Sequence, residues 1–186
     1  MHKVYTGSGS YDFEVLISSY PSLEPFVFYG KSNRQTIDFN DAKAVRALNT
    51  ALLKHNYGVK YWEFSEKNLC PPISGRVQYI HLLADLLKSS GINGDIKILD
   101  IGTGASCIYP ILGNKEYGWR FVATEIVESS LDSAEQILKK NNLSSVIELK
   151  FQSNPEYIFK DIIKPEDKFS ASICNPPFYK SEAEAK

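Results

Sequence analysis

The 186-residue chain is 43% hydrophobic and 23% charged with a net charge of −1, the profile of one globular domain of mixed structure with material for a real core. A near-neutral balance excludes a protein drawn to nucleic acid by its overall field, so such a partner has to be met by a local patch. No apolar run approaches membrane-spanning length and no signal-peptide core opens the chain; three widely separated cysteines (Cys70, Cys107, Cys174) and three histidines without ligand spacing (His2, His55, His81) argue a reducing, cytoplasmic setting and no metal site.

Residues 1–10 contain Gly7-Ser8-Gly9-Ser10 and read as a flexible, linker-like start. From Tyr11 the residues Phe13, Leu16, Ile17 and Tyr20 keep helical spacing until Pro21, and a second short turn ends near Pro25. Asn40 is placed to cap a longer helix with Val45, Leu48 and Leu52 as its buried stripe. Between residues 31 and 60, Lys31, Arg34, Lys43, Arg46, Lys54 and Lys60 face only Asp38 and Asp41, a local basic excess that this helix would carry outward. Tyr57 to Phe64 is aromatic-rich and leads to the rigid Cys70-Pro71-Pro72 corner, after which Ser74 is expected to cap a helix burying Val77, Ile80, Leu83, Ala84 and Leu87 and stopping at Gly91. Residues 11–72 thus form a helical extension, and 73–186 a second unit.

In that unit the pattern changes. Ile96 to Ile101 is a nearly continuous apolar strand, followed by a helical stretch, a strand from Phe121 to Thr124 ending at Glu125, and a helix carrying Leu131, Ala134 and Leu138. A strand from Val146 to Phe151, a helix near Tyr157 to Ile163 and a strand from Phe169 to Cys174 follow. Alternation of this kind predicts a doubly wound α/β sheet, Rossmann-like, with ligands at the carboxyl ends of its strands.

Two of those ends carry chemistry. Gly102-Thr103-Gly104 follows the first strand at once, where backbone can approach a ligand that a Cβ would block. Glu125 ends the second strand 21 residues after Gly104, near the separation at which an acid in such a sheet bonds a ribose hydroxyl pair. Asp100 immediately before the turn suits a cationic, amino-acid-bearing ligand better than a pyrophosphate, and Cys107 stands where a dinucleotide fingerprint would have its third glycine. S-adenosylmethionine therefore fits better than NAD. The fourth strand stops at Asn175-Pro176-Pro177-Phe178; the prolines end the strand and fix the backbone, leaving the Asn175 side-chain oxygen and the Pro176 carbonyl as acceptors beside the Phe178 ring. Such a group can accept both N–H bonds of a planar exocyclic amine, stabilise the positive charge that develops as a methyl arrives, and stack the base. The base has to be single-stranded or flipped.

Asp100-Ile-Gly-Thr-Gly-Ala-Ser-Cys-Ile-Tyr-Pro110, the Glu125 strand, Cys174-Asn-Pro-Pro-Phe178, Asn68-Leu-Cys-Pro-Pro72 and Gly75-Arg-Val-Gln-Tyr-Ile-His81 together resemble the RlmF-like family of 23S ribosomal RNA adenine-N6 methyltransferases, and the human U6 small nuclear RNA adenine methyltransferase is similar in the same blocks. The resemblance runs from about Tyr11 to the end. It implies a class I methyltransferase sheet, here with its first four strands, that Arg76 reaches the aminoacyl carboxylate of S-adenosylmethionine, and that Asp100, Gly102, Thr103, Gly104, Glu125 and a position within Gln152 to Asn154 line the cofactor. It also implies that Asn175, Pro176, Pro177 and Phe178 hold an adenine of ribosomal RNA, and that the N-terminal segment holds RNA through Arg34, Lys43, Arg46 and Lys54. About three further strands are expected after the fourth, so the sequence reads as truncated. A guanine-N2 methyltransferase, a protein glutamine-amide methyltransferase, and a module that binds cofactor or RNA without turnover are the alternatives.

Overall fold

The structure, a computed structural model, describes residues 11–176. Helix α1 (Phe13–Ser19) is capped by the Asp12 carboxylate, which accepts from the Val15 N–H (3.1 Å), and a 3-10 turn (Pro21–Phe26) follows where proline forbids continuation. A small antiparallel hairpin, β1 (Phe28–Tyr29) and β2 (Gln35–Thr36), comes next, unannounced by the two-residue length of its strands.

Helix α2 (Ala42–Tyr57) starts one residue later than expected. Asp41, not Asn40, caps it by accepting from Lys43 N–H (2.8 Å), because Asn40 is itself held through its backbone N–H by the Asp38 carboxylate (2.9 Å). Its buried surface is also broader than a stripe: Ala44, Ala47, Leu48, Ala51, Leu52 and Leu53 are all buried, with Val45 half-buried. Helix α3 (Ile73–Ser89) begins at Ile73, so Ser74 is not its cap. Pro72 occupies that place without a side-chain acceptor, and Asn49 of α2 supplies one from outside, its Oδ1 accepting from the Ile73 N–H (3.1 Å).

The main sheet is parallel, in the order β5 (Ile147–Phe151), β4 (Arg120–Glu125), β3 (Lys97–Ile101), β6 (Ala171–Cys174). Helix α4 (Ile108–Tyr117) links β3 to β4 and α5 (Glu128–Lys140) links β4 to β5. The chain thus steps outward from β3 twice and then returns to β3's other side, which makes the space between the ends of β3 and β6 the switch point of the sheet. Gly113 lets α4 lie close on β4, since a Cβ there would meet the Phe121 ring at 2.5 Å. One hydrophobic core runs without a break from Phe13 of α1 through α2 and α3 to Ile98, Phe121, Ile147 and Ile173 of the sheet.

The helix expected near Tyr157 to Ile163 does not form. Pro155 and Pro165 bracket the stretch, Asp161 takes a left-handed φ of 62°, and only turn bonds are made, such as Tyr157 N–H to Asn154 O (3.1 Å). Ile162 alone of that apolar set is buried, against Leu99 and Val122 on the sheet face opposite α4; Tyr157, Ile158 and Phe159 stay exposed.

Candidate active site

The turn after β3 is built from backbone that side chains disfavour: Gly102 has φ 73°, Gly104 φ 67°, and the non-glycine Cys107 φ 48°. The Thr103 N–H donates to the Thr124 carbonyl (2.8 Å) and the Gly104 N–H to Glu125 Oε2 (2.8 Å), so the end of β4 holds the turn in place. Glu125 Oε1 also accepts from the Ile126 (2.8 Å) and Val127 (3.0 Å) N–H groups. Three of the four lone-pair sites of this buried carboxylate are therefore used, and one is left.

Asp100 is in the opposite condition. It alternates with Leu99 and so shares Ile98's face, the one covered by α3 and α4, and it is 1% exposed. Among the described residues its Oδ2 has no hydrogen-bond partner, and neither does the buried Nε of Arg76 in the first turns of α3. Burial, partly offset by the Thr103 hydroxyl and reinforced by Glu125, pushes the Asp100 carboxyl up to about 7.

Tyrosines 79 and 109, which sequence reasoning passed over, complete this corner. The Arg76 guanidinium lies 5.4 Å from the Tyr109 ring centre, and the Tyr79 and Tyr109 rings are 5.2 Å apart. Burial, with Asp100 close by, raises both phenols and the Cys174 thiol. The helical spacing from Arg76 to Tyr79 was the available signal, since residues three apart share a helix face.

Parallel pairing sets Ile101 opposite Cys174, so Asn175 and Pro176 leave β6 beside Gly102 as it leaves β3. Both are exposed; Pro177 and Phe178 lie outside the described residues. Gln152 is brought to the end of β4, its N–H donating to the Glu125 carbonyl (2.9 Å). Its side chain turns away into the following loop, donating to Lys160 O (3.0 Å) and accepting from Asn154 N–H (3.0 Å).

The basic set divides in two. Arg34 and Lys43 are exposed, but Arg46 donates to the carbonyls of Phe64 (3.2 Å), Ser65 (3.3 Å) and Asn68 (3.2 Å) and covers the Phe64 ring at 4.2 Å. Lys54 donates to the Lys60 carbonyl (2.8 Å). Both point back at the protein, contrary to the expectation that α2 carries them outward.

A family profile described as RNA methyltransferase matches residues 1–186. The chain belongs to this RNA methyltransferase family. It is 49% identical over 183 residues to ribosomal RNA large subunit methyltransferase F of Serratia proteamaculans, covering 95% of this chain and 54% of that protein. Against the protein of the same name in Flavobacterium johnsoniae it is 48% identical over 182 residues, covering 94% and 57%. The chain therefore spans just over half the length of these relatives. Among solved structures, the N-terminal domain of human METTL16 in complex with SAH superposes with a TM-score of 0.84 at 33% identity, over 96% of this chain and 70% of that one. The human METTL16 catalytic domain in complex with a MAT2A 3'UTR hairpin gives 0.82 at 34% identity, over 94% and 58%. The four-stranded parallel sheet with its flanking helices is accordingly the class I methyltransferase fold expected from the sequence. Among the described residues no helix is long and apolar enough to cross a membrane, and no group of three or more His, Cys, Asp or Glu side chains is placed to hold a metal ion.

Proposed function

We propose that this chain carries the cofactor site and the base-holding strand end of an S-adenosylmethionine-dependent methyltransferase acting on the N6 amine of an adenine in large-subunit ribosomal RNA. The observation that carries the reading is the β3–β6 register: it sets Asn175 and Pro176 beside a turn whose acid, Asp100, is buried with one oxygen unpartnered. A buried carboxylate oxygen without a partner is costly, and together with the unpartnered buried Nε of Arg76 it fits one ligand type well, a zwitterionic amino-acid head. The ammonium of S-adenosylmethionine would meet Asp100, its carboxylate Arg76, and a ribose hydroxyl the free site of Glu125. Gly102, Thr103 and Gly104 would offer close backbone, and Gln152 would shape the loop over the adenine end rather than touch it. When bound, S-adenosylmethionine supplies an electrophilic methyl on sulfonium.

The chain's own work is orientation. Asn175 Oδ1 and the Pro176 carbonyl accept from the two N–H groups of the target amine, which favours a tetrahedral nitrogen and stabilises its developing charge. Phe178, next in the sequence after the two prolines, would supply the ring on which the base stacks. The methylated amine is acidic enough to release its proton to water, so no strong general base is needed. The adenine is unpaired or flipped, and Arg34 and Lys43 contact RNA phosphates while Arg46 and Lys54 brace the surface behind them. The protein works in the cytoplasm, where its ribosomal RNA substrate is.

Incubation with labelled S-adenosylmethionine and a 23S ribosomal RNA fragment tests the reading. Label recovered as N6-methyladenosine, lost in Asn175→Ala, supports it; label on guanine or on protein overturns it.

A further inference from the structure

We infer that Trp62 is a positioning residue for the cofactor turn, through which the N-terminal segment sets the shape of the methyl-donor site; this rests on the methyltransferase reading above. The ribbon joining α2 to α3 sends the Trp62 side chain into the core, where it is 2% exposed. Its indole Nε1–H donates to the Ser106 carbonyl at 2.9 Å.

That carbonyl belongs to the peptide entering Cys107, the residue held left-handed at φ 48° and ψ 37° to start α4. The turn's own closing bond, Cys107 N–H to Gly104 O, is long at 3.4 Å. The shorter bond from Trp62 is therefore the stronger restraint on a peptide plane that an L-residue would otherwise rotate out of.

The indole acts as a strut because both its neighbours are fixed. Upstream, Asn141 at the end of α5 accepts from the Lys60 N–H (2.7 Å) and donates to the Tyr61 carbonyl (2.6 Å). Downstream, Phe64 meets the Trp62 ring edge-on at 4.9 Å and is clamped from above by Arg46. Arg46 thus has a role its charge did not reveal. It links α2, on the side proposed to face RNA, to the turn proposed to face the methyl donor, through Phe64, Trp62 and Ser106.

Trp62→Phe keeps a ring in the core and removes only the donor. Calorimetric titration of S-adenosylhomocysteine, well below the melting temperature of either protein, is expected to show about tenfold weaker binding in the variant, the order of one buried hydrogen bond. With RNA, the KM for S-adenosylmethionine rises while that for RNA stays within about twofold. A lower melting temperature with unchanged affinity would make Trp62 a packing residue only and overturn the inference. If wild type itself fails to bind, the methyl-donor reading falls and this inference with it. Should the variant not fold, the wild-type indole N–H signals decide: the chain has two tryptophans, Trp119→Phe assigns the pair, and the Trp62 signal is expected to move on addition of S-adenosylhomocysteine. A stationary signal overturns the inference.

Discussion

The two flanks of β3 treat a buried carboxylate in opposite ways. On the β4 flank Glu125 receives three backbone N–H groups, one from the glycine turn and two from the residues that follow it; on the β6 flank Asp100 keeps an unpartnered oxygen, and the buried Nε of Arg76 on α3 is unpartnered too. Burial alone thus says little about which acid awaits a ligand. What separates the two is how far the fold has already satisfied them, and by that measure we propose the β4 flank as mainly scaffold, with one acceptor position of Glu125 left for a ligand, and the β6 flank as mainly site.

The largest effect should come from removing the reacting end of the β6 flank. Asn175→Ala is expected to lower methyl transfer by about 100- to 1,000-fold, while S-adenosylhomocysteine affinity, read by calorimetry, changes less than about twofold. Loss of both together would mean that Asn175 belongs to the cofactor site. Next, Asp100→Asn should weaken S-adenosylhomocysteine by about 10- to 100-fold, the scale of a lost charged hydrogen bond.

The same substitution should show in the stability of the free protein. Because the folded-state value of Asp100 is raised from 3.8 to about 7, its contribution favours folding below pH ~4 and is lost as pH rises through 7, by up to about 4 kcal/mol. The difference in melting temperature between wild type and Asp100→Asn should therefore move in the variant's favour from pH 5 to pH 8. On the scaffold flank Glu125→Gln is expected to cost about 1–3 kcal/mol of stability in denaturant unfolding, even without ligand, because the N–H groups of Gly104, Ile126 and Val127 lose a charged acceptor. A variant as stable as wild type would erase the contrast between flanks. Smallest of all, Arg34→Ala should weaken RNA binding several-fold and reduce its salt dependence by about one counterion, whereas a comparable salt effect in Arg46→Ala would contradict its inward placement.

The strands and the site turn were legible because a buried parallel strand must be apolar and a close backbone approach needs glycine; Ile96 to Ile101 followed by Gly102-x-Gly104 states both in nine residues. The β3–β6 pairing was legible too, since strand order in this fold follows from topology. Other features lay in contacts that local pattern does not carry. Tyr157 to Ile163 has the apolar content of a helix, but Asp161 in a left-handed turn and the flanking prolines decide against one. Arg46 and Lys54 look like surface charge in one dimension and become backbone clamps only once the ribbon from Val59 to Pro72 folds over them. Asn49 capping α3 from a neighbouring helix, and Trp62 bonding Ser106, join residues 24 and 44 positions apart. No spacing rule reaches that far.

The most direct test is the affinity of wild type and Asp100→Asn for S-adenosylhomocysteine across pH 5.5 to 7.5. With Asp100 protonated in the free protein at the acid end, wild-type binding is expected to tighten with pH by up to about tenfold per unit until near 7 and then level, while the variant stays flat. Equal pH profiles for the two proteins would contradict it.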